Sequence, residues 1–129
     1  MRETLVLLTA RADADDVRGR VLALDETSGT RHFRSFTLGD CVFGVETGQS
    51  VLAEYDEDEL REVRERLGEF EPLLVEYQDA ACVRAFLTHC LGAAGGILDT
   101  NYGHLLDYAE VLRGIRESPE WTPREPSVG

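Results

Sequence analysis

The sequence predicts an α+β fold, a single compact domain in which a mixed or antiparallel sheet is covered by about four helices. Three observations carry that expectation. A length of 129 residues suits one core and leaves no room for a second. Apolar residues make up 43% and charged residues 29% of the chain, the balance of a globular protein rather than a disordered one. Strand-like and helix-like segments follow one another as β-α-β-β-β-α-β-α-β-β-α, and strands joined directly by tight turns argue against a doubly wound parallel sheet.

The continuous apolar run from Thr4 to Ala10 reads as a strand buried on both faces. Behind it Ala14, Val17, Val21 and Leu24 recur at helical spacing. Asp13, Asp15 and Asp16 suit the positive end of that helix dipole, and Ser28-Gly29 is expected to end the helix. Arg31 to Leu38 alternates as a strand, Gly39-Asp40 is a two-residue hairpin turn, and Cys41 to Glu46 returns. Ser50 to Tyr55, after a turn at Thr47 to Gln49, completes a three-stranded meander.

Glu57 to Leu67 is the best-marked helix. Asp56 with Glu59 forms a capping box, Leu60, Val63 and Leu67 make the apolar stripe, and Gly68 stands at the stop. Glu57 with Arg61 and Glu62 with Arg66 are expected as i,i+4 pairs. Pro72 opens a short strand, Leu73 to Tyr77, and Asp79 caps a largely buried helix, Ala80 to Leu91. After the glycines at 92, 95 and 96, Ile97 to Asp99 and His104 to Leu106 form a hairpin. Asp107 with Glu110 then starts a last helix, Tyr108 to Arg116. The domain is thus expected over residues 1–118, with a proline-rich tail at 119–129 that Trp121 tacks down.

All 13 basic residues are arginine, set against 25 acids for a formal charge of −12. The absence of lysine excludes Schiff-base chemistry, pyridoxal-phosphate attachment and the lysine of a phosphate-binding P-loop. The arginine bias also fits a GC-rich genome such as an actinobacterium's. A surface this acidic is repelled by phosphate backbones and anionic headgroups, so neither nucleic acid nor membrane is expected as a partner. Leu5 to Leu8 is too short for a signal-peptide core, and no stretch approaches the ~18 apolar residues of a membrane span. Cys41, Cys82 and Cys90 are odd in number and form no CxxC pair, which points to reduced thiols in the cytoplasm.

Few local patterns carry chemistry. Asp99, Asn101, Asp107 and Glu110 fall at positions one, three, nine and twelve of a calcium loop, but His104 occupies the place where glycine makes the sharp turn. A hairpin turn followed by a helix cap accounts for the same residues, and no cofactor is expected. Gly92 to Gly96 ends a helix rather than opening one, unlike a phosphate cradle. Cys82 and Cys90 stand about 12 Å apart along one helix, too far to bond each other. His89 diverges from Cys90 by ~100°. Cys41, reached by His32 or His104, is the one conceivable nucleophile. Arg31, His32 and Arg34 read as the charged face of an edge strand.

What remains is acid. Between Glu54 and Glu71 nine carboxylates face three arginines, half of the whole-chain deficit. Asp56, Glu57, Asp58 and Glu59 concentrate at one helix start beyond what capping requires; with Glu54 and Glu62 they read either as a solvated helix face or as a patch that attracts a basic protein. In size, charge and make-up the chain resembles the small acidic cytoplasmic immunity proteins that accompany bacterial polymorphic toxins, and small α+β proteins of actinobacteria. Its ending, a helix over Ala80 to Leu91 leading through Gly95-Gly96 to Ile97-Leu98-Asp99 and a capped last helix, shares in that resemblance. The resemblance implies a non-enzymatic inhibitor or regulatory partner that masks a basic surface. Two other classes stay open: a small-ligand sensor or subunit, and an enzyme with a cysteine- or carboxylate-based site. Homo-oligomerisation through the meander or the last helix is compatible with each.

Overall fold

The apolar run at the start of the chain becomes an interior strand for the reason its composition suggests. In β1 (Glu3–Ala10), Leu5 and Leu7 enter one hydrophobic cluster while Val6 and Leu8 enter another on the opposite face. A strand covered on both sides needs no polar alternation, and all four side chains are buried. The computed structural model describes residues 3–29 and 33–126. After β1 come α1 (Arg11–Leu22), β2 (Asp25–Gly29), β3 (Phe33–Leu38) and β4 (Cys41–Thr47). A 3-10 turn (Gln49–Leu52), α2 (Glu57–Leu67), β5 (Phe70–Tyr77) and α3 (Ala80–Cys90) follow, then β6 (Gly96–Asp99), β7 (Leu105–Asp107) and α4 (Tyr108–Glu117). The seven strands form one antiparallel sheet in the order β2-β3-β4-β5-β1-β6-β7, so the chain is an α+β domain with four helices, as its pattern predicts.

The element string agrees with the sequence reading through two compensating differences. Residues Ser28-Gly29 do not end α1, which stops at Leu22; Asp25–Gly29 instead pairs with β3 as an edge strand. That strand is exposed along its whole length and bears no apolar alternation, so the sequence carries no signal for it. Ser50 to Tyr55 is not a strand. Gly48, at φ +101°, turns the chain into the 3-10 segment, which drops Val51 into the second cluster. Pro72, expected to open β5, lies inside it, one residue beyond the last β4–β5 pair, Thr47 with Leu73, where a missing N–H need not interrupt that ladder.

Cover on the two sheet faces is unequal. Residues of α1, α3 and α4 pack with Leu5, Leu7, Phe36, Phe43, Val45 and Val75 in the larger cluster. Among the described residues the other face is covered by the 3-10 turn and α2, through Val51 and Val63 against Val6, Leu8 and Ile97. The tail is held more firmly than its prolines suggest. Trp121 is 1% exposed, its carbonyl accepts from Arg84 at 2.8 Å, and its indole fills the space left by Gly114. Further on, Arg124 pairs with Glu3 at 2.8 Å and lies over the Tyr102 ring. The tail thereby covers Tyr77, whose hydroxyl is the one buried side-chain oxygen without a hydrogen-bond partner among the described residues. Trp121→Ala is expected to cost ~3–5 kcal/mol, read as a lowered urea midpoint.

The thiols depart from expectation most. Cys41 and Cys82 are joined by a disulfide, so two of the three cysteines are not reduced. Tertiary structure explains the pairing: β4 pairs with β5 only over Gly44 to Thr47, leaving its first residues outside that ladder. There, the Val42 N–H donates to the Gln78 side chain, and Phe43 packs on Phe86 at 4.7 Å between centroids. The disulfide is the covalent tie that holds this end of the β3–β4 hairpin to α3. It closes a loop with a sequence separation of 41, for which loop entropy gives about 4 kcal/mol of stabilisation. Urea unfolding with and without a reducing dithiol should show a loss of about 2–4 kcal/mol, and Cys41→Ser with Cys82→Ser should reproduce it.

Candidate functional site

The acidic start of α2 is built as its sequence indicates. The Asp56 carboxylate accepts from the Glu59 N–H at 2.8 Å, and the Glu59 carboxylate accepts from the Asp56 N–H at 3.1 Å. Two acids are therefore engaged in capping. Asp58 pairs with Arg61 at 3.1 Å. Glu54, Glu57 and Glu62 make no ion pair among the described residues, and all six acids are exposed. Neither expected i,i+4 pair forms. Arg61 reaches back three residues to Asp58, and Arg66 leaves the helix for Asp107 at 2.8 Å, because β7 ends beside the last turn of α2. A tertiary partner there displaces the local one, and both contacts are exposed ion pairs of small worth.

Behind this cluster stands a polar joint to the sheet. The Tyr55 hydroxyl donates to Asp99 at 2.5 Å, and burial followed by that carboxylate pushes the phenol well above its ordinary range. The other Asp99 oxygen accepts from the Asn101 N–H at 2.9 Å. Asn101, at φ +65°, donates its side-chain amide to Thr4. Asp107 is engaged by Arg66, and Glu110 accepts from the Asp107 N–H at 3.2 Å. The four calcium-loop candidates, Asp99, Asn101, Asp107 and Glu110, thus serve a turn and a helix start with separate partners. Among the described residues no group of three or more His, Cys, Asp or Glu side chains is gathered to hold a metal.

The other candidates are dispersed as well. Cys41 is bonded to Cys82 and so is no free nucleophile in this structure. Cys90 is fully buried, and burial pushes its thiol up to about 12 against the opposing charge of Arg20. His89 turns away from Cys90 to meet the Arg20 carbonyl at 3.2 Å. Arg31 and His32 lie outside the described residues. Arg34 is not on an edge: β2 flanks it, and Glu26 grips its guanidinium at 2.7 and 2.8 Å. That hydrogen bond holds Glu26 below the usual carboxylate range.

A groove of about 310 Å³ separates α1 from β3 and β4, floored by Phe36, Val45 and Leu73. Its two guanidiniums, Arg18 and Arg34, are already paired with Glu71 and Glu26, which leaves little charge for an anionic ligand. No described helix is long and apolar enough to cross a membrane. Comparison with protein-family models, curated proteins and solved structures returns no match for this chain.

One neighbourhood escaped sequence reasoning. Phe43 and Val45 of β4, and Val75 and Tyr77 of β5, belong to the larger cluster, so alternation sends Glu46 and Glu76 to the same side as α2. Only strand register reveals that they share a face with Glu54 and Asp56. The thiol assignment is testable by mass spectrometry after iodoacetamide at pH 8. No cysteine should label in the native protein, two should label after reduction, and Cys90 only after unfolding. Labelling of Cys41 without reductant would contradict the bonded pair.

Proposed function

We propose that this chain is a non-enzymatic binding module for a basic protein, an immunity-type inhibitor or a regulatory partner. The observation that carries this reading is the exposed start of α2. There Glu54, Glu57 and Glu62 make no ion pair among the described residues, Arg61 being held by Asp58 within the cluster and Arg66 by Asp107 outside it. Unpaired surface carboxylates spread over the first two turns and their approach raise the encounter rate with a positive partner and select against negative ones. Among the described residues the cysteines, histidines and carboxylates are dispersed and assemble no nucleophile, base and oxyanion donor to compete with it.

The immunity-type reading sets the protein in a bacterial cytoplasm, where a Cys41–Cys82 bond has to form against a reducing poise. The disulfide favours the regulatory alternative, with the same acidic surface working in an oxidising compartment. Both readings share one test. Immobilised protein is offered source lysate at low and high salt, and captured proteins are identified by mass. A basic protein released by salt is expected, with capture reduced about tenfold or more when Asp56, Glu57 and Asp58 are all changed to Arg. Capture unaffected by that reversal would reduce the acids to a solubilising surface.

A further inference from the structure

Glu3 opens β1 with a tyrosine on either side of it. Across the β1–β5 ladder it stands directly opposite Tyr77, so the two side chains share a face. On its other side the turn after β6 brings up Tyr102, whose hydroxyl donates to Glu3 Oε1 at 2.6 Å. The same oxygen meets Arg124 Nε at 2.8 Å, and the Arg124 guanidinium lies over the Tyr102 ring, 4.9 Å from its centroid. A carboxylate beside an aromatic face suits a guanidinium: the charge pairs with the carboxylate while the planar group stacks on the ring. The chain fills this cradle with its own arginine.

Two observations mark that filling as incomplete. Tyr77 is 1% exposed, and its hydroxyl has no hydrogen-bond partner among the described residues. Burial and then the Glu3 charge push that phenol well above its ordinary range, so it stays neutral and keeps a lone pair for an N–H group. Next to it an open hollow of about 370 Å³ is bordered by Glu3, Tyr77, Gln78 and Arg124. Arg124 is tethered through Pro123, which is buried, and its guanidinium serves Glu3 and Tyr102 without satisfying Tyr77. The Arg124 side chain is also 64% exposed, so it can swing out without unpacking the tail that Trp121 anchors.

We propose that Glu3, Tyr77 and Tyr102 form a receiving site for one arginine of a basic protein partner, which takes the place of Arg124. The inference rests on the reading of the chain as a module for a basic protein, and it adds a point of contact separate from the α2 acids. The partner's guanidinium arrives free of the tether, pairs with Glu3, stacks on Tyr102 and supplies the N–H donor that Tyr77 lacks. Arg124 sets a threshold against casual occupancy. An exposed ion pair with an exposed cation–π contact amounts to about tenfold in occupancy, which a partner offering several basic side chains can overcome.

The probe is a capped Gly-Arg-Gly peptide, with a capped Gly-citrulline-Gly control, titrated into isotopically labelled full-length protein. Arg2, next to Glu3 in the chain and outside the described residues, is changed to Ala throughout, which removes it as a competitor. Arg124→Ala should bind the arginine peptide about tenfold more tightly than protein that keeps Arg124, with amide shifts centred on Glu3, Tyr77 and Tyr102. The citrulline peptide should produce no such shifts. Glu3→Gln should abolish them, the amide spectrum showing that the variant is folded. Tyr77→Phe should weaken binding about threefold without lowering the urea midpoint, because it removes an unpaired hydroxyl. Equal binding with and without Arg124, equal shifts from citrulline, or shifts confined to residues 54–62 would overturn the receiving site and leave the acidic-module reading standing. Arginine binding at Glu3 together with a lysate that yields no basic protein would overturn the module reading, and with it the partner assigned here.

Discussion

The pairing of β1 with β5 is the constraint from which the other contacts follow. All eight residues of β1 are matched to β5, from Glu3 with Tyr77 to Ala10 with Phe70, and β1 also carries β6 on its other edge. Because neighbouring side chains point to opposite faces, this one ladder sets which residues enter each cluster. Leu5, Leu7, Val75 and Tyr77 seed the larger core, while Val6, Leu8 and Leu74 seed the smaller. A slip of one residue would exchange the two sets. The amphipathic helices then have only one place each to bury their stripes.

Unequal cover gives the molecule its chemical asymmetry. The side carrying three helices is closed further by Trp121 and by Arg124 against Glu3, so the last described residues act as packing. On the other side, α2 turns its apolar stripe to the sheet, and its first turn leaves acids in water. The disulfide belongs to this arrangement. It ties to α3 the end of the hairpin that the β4–β5 ladder does not reach, and so steadies the strand pair on which Phe33, Val42 and Glu46 stand.

Legibility tracked the range of the interaction. The α2 capping box, the Gly39-Asp40 turn, the Asp79 cap and the buried first strand were readable because each depends on residues within a few positions. The edge strand β2 was not, because its partner β3 supplies the hydrogen bonds while its own side chains stay in water. The partner of Arg66 is hidden for the same kind of reason, since a carboxylate 41 residues away lies nearer than the one on its own helix. Of the candidate site, the acids at residues 54–62 are visible as a charge run, whereas only strand register puts Glu46 and Glu76 on the same side of the sheet as α2.

The sequence by itself determined the fold class, the sites of the helix starts, the two-sided burial of the first strand and the concentration of charge. Each of these is a local or compositional property, set by propensity, capping and apolar periodicity. Which cysteines meet and which carboxylates share a sheet face emerge only on folding. Those outcomes depend on strand order, and strand order is a property of long-range pairing that no short window contains. Cys41 and Cys82 are 41 residues apart in the chain and 5.6 Å apart at their Cα atoms, a proximity created when β5 takes its place between β4 and β1.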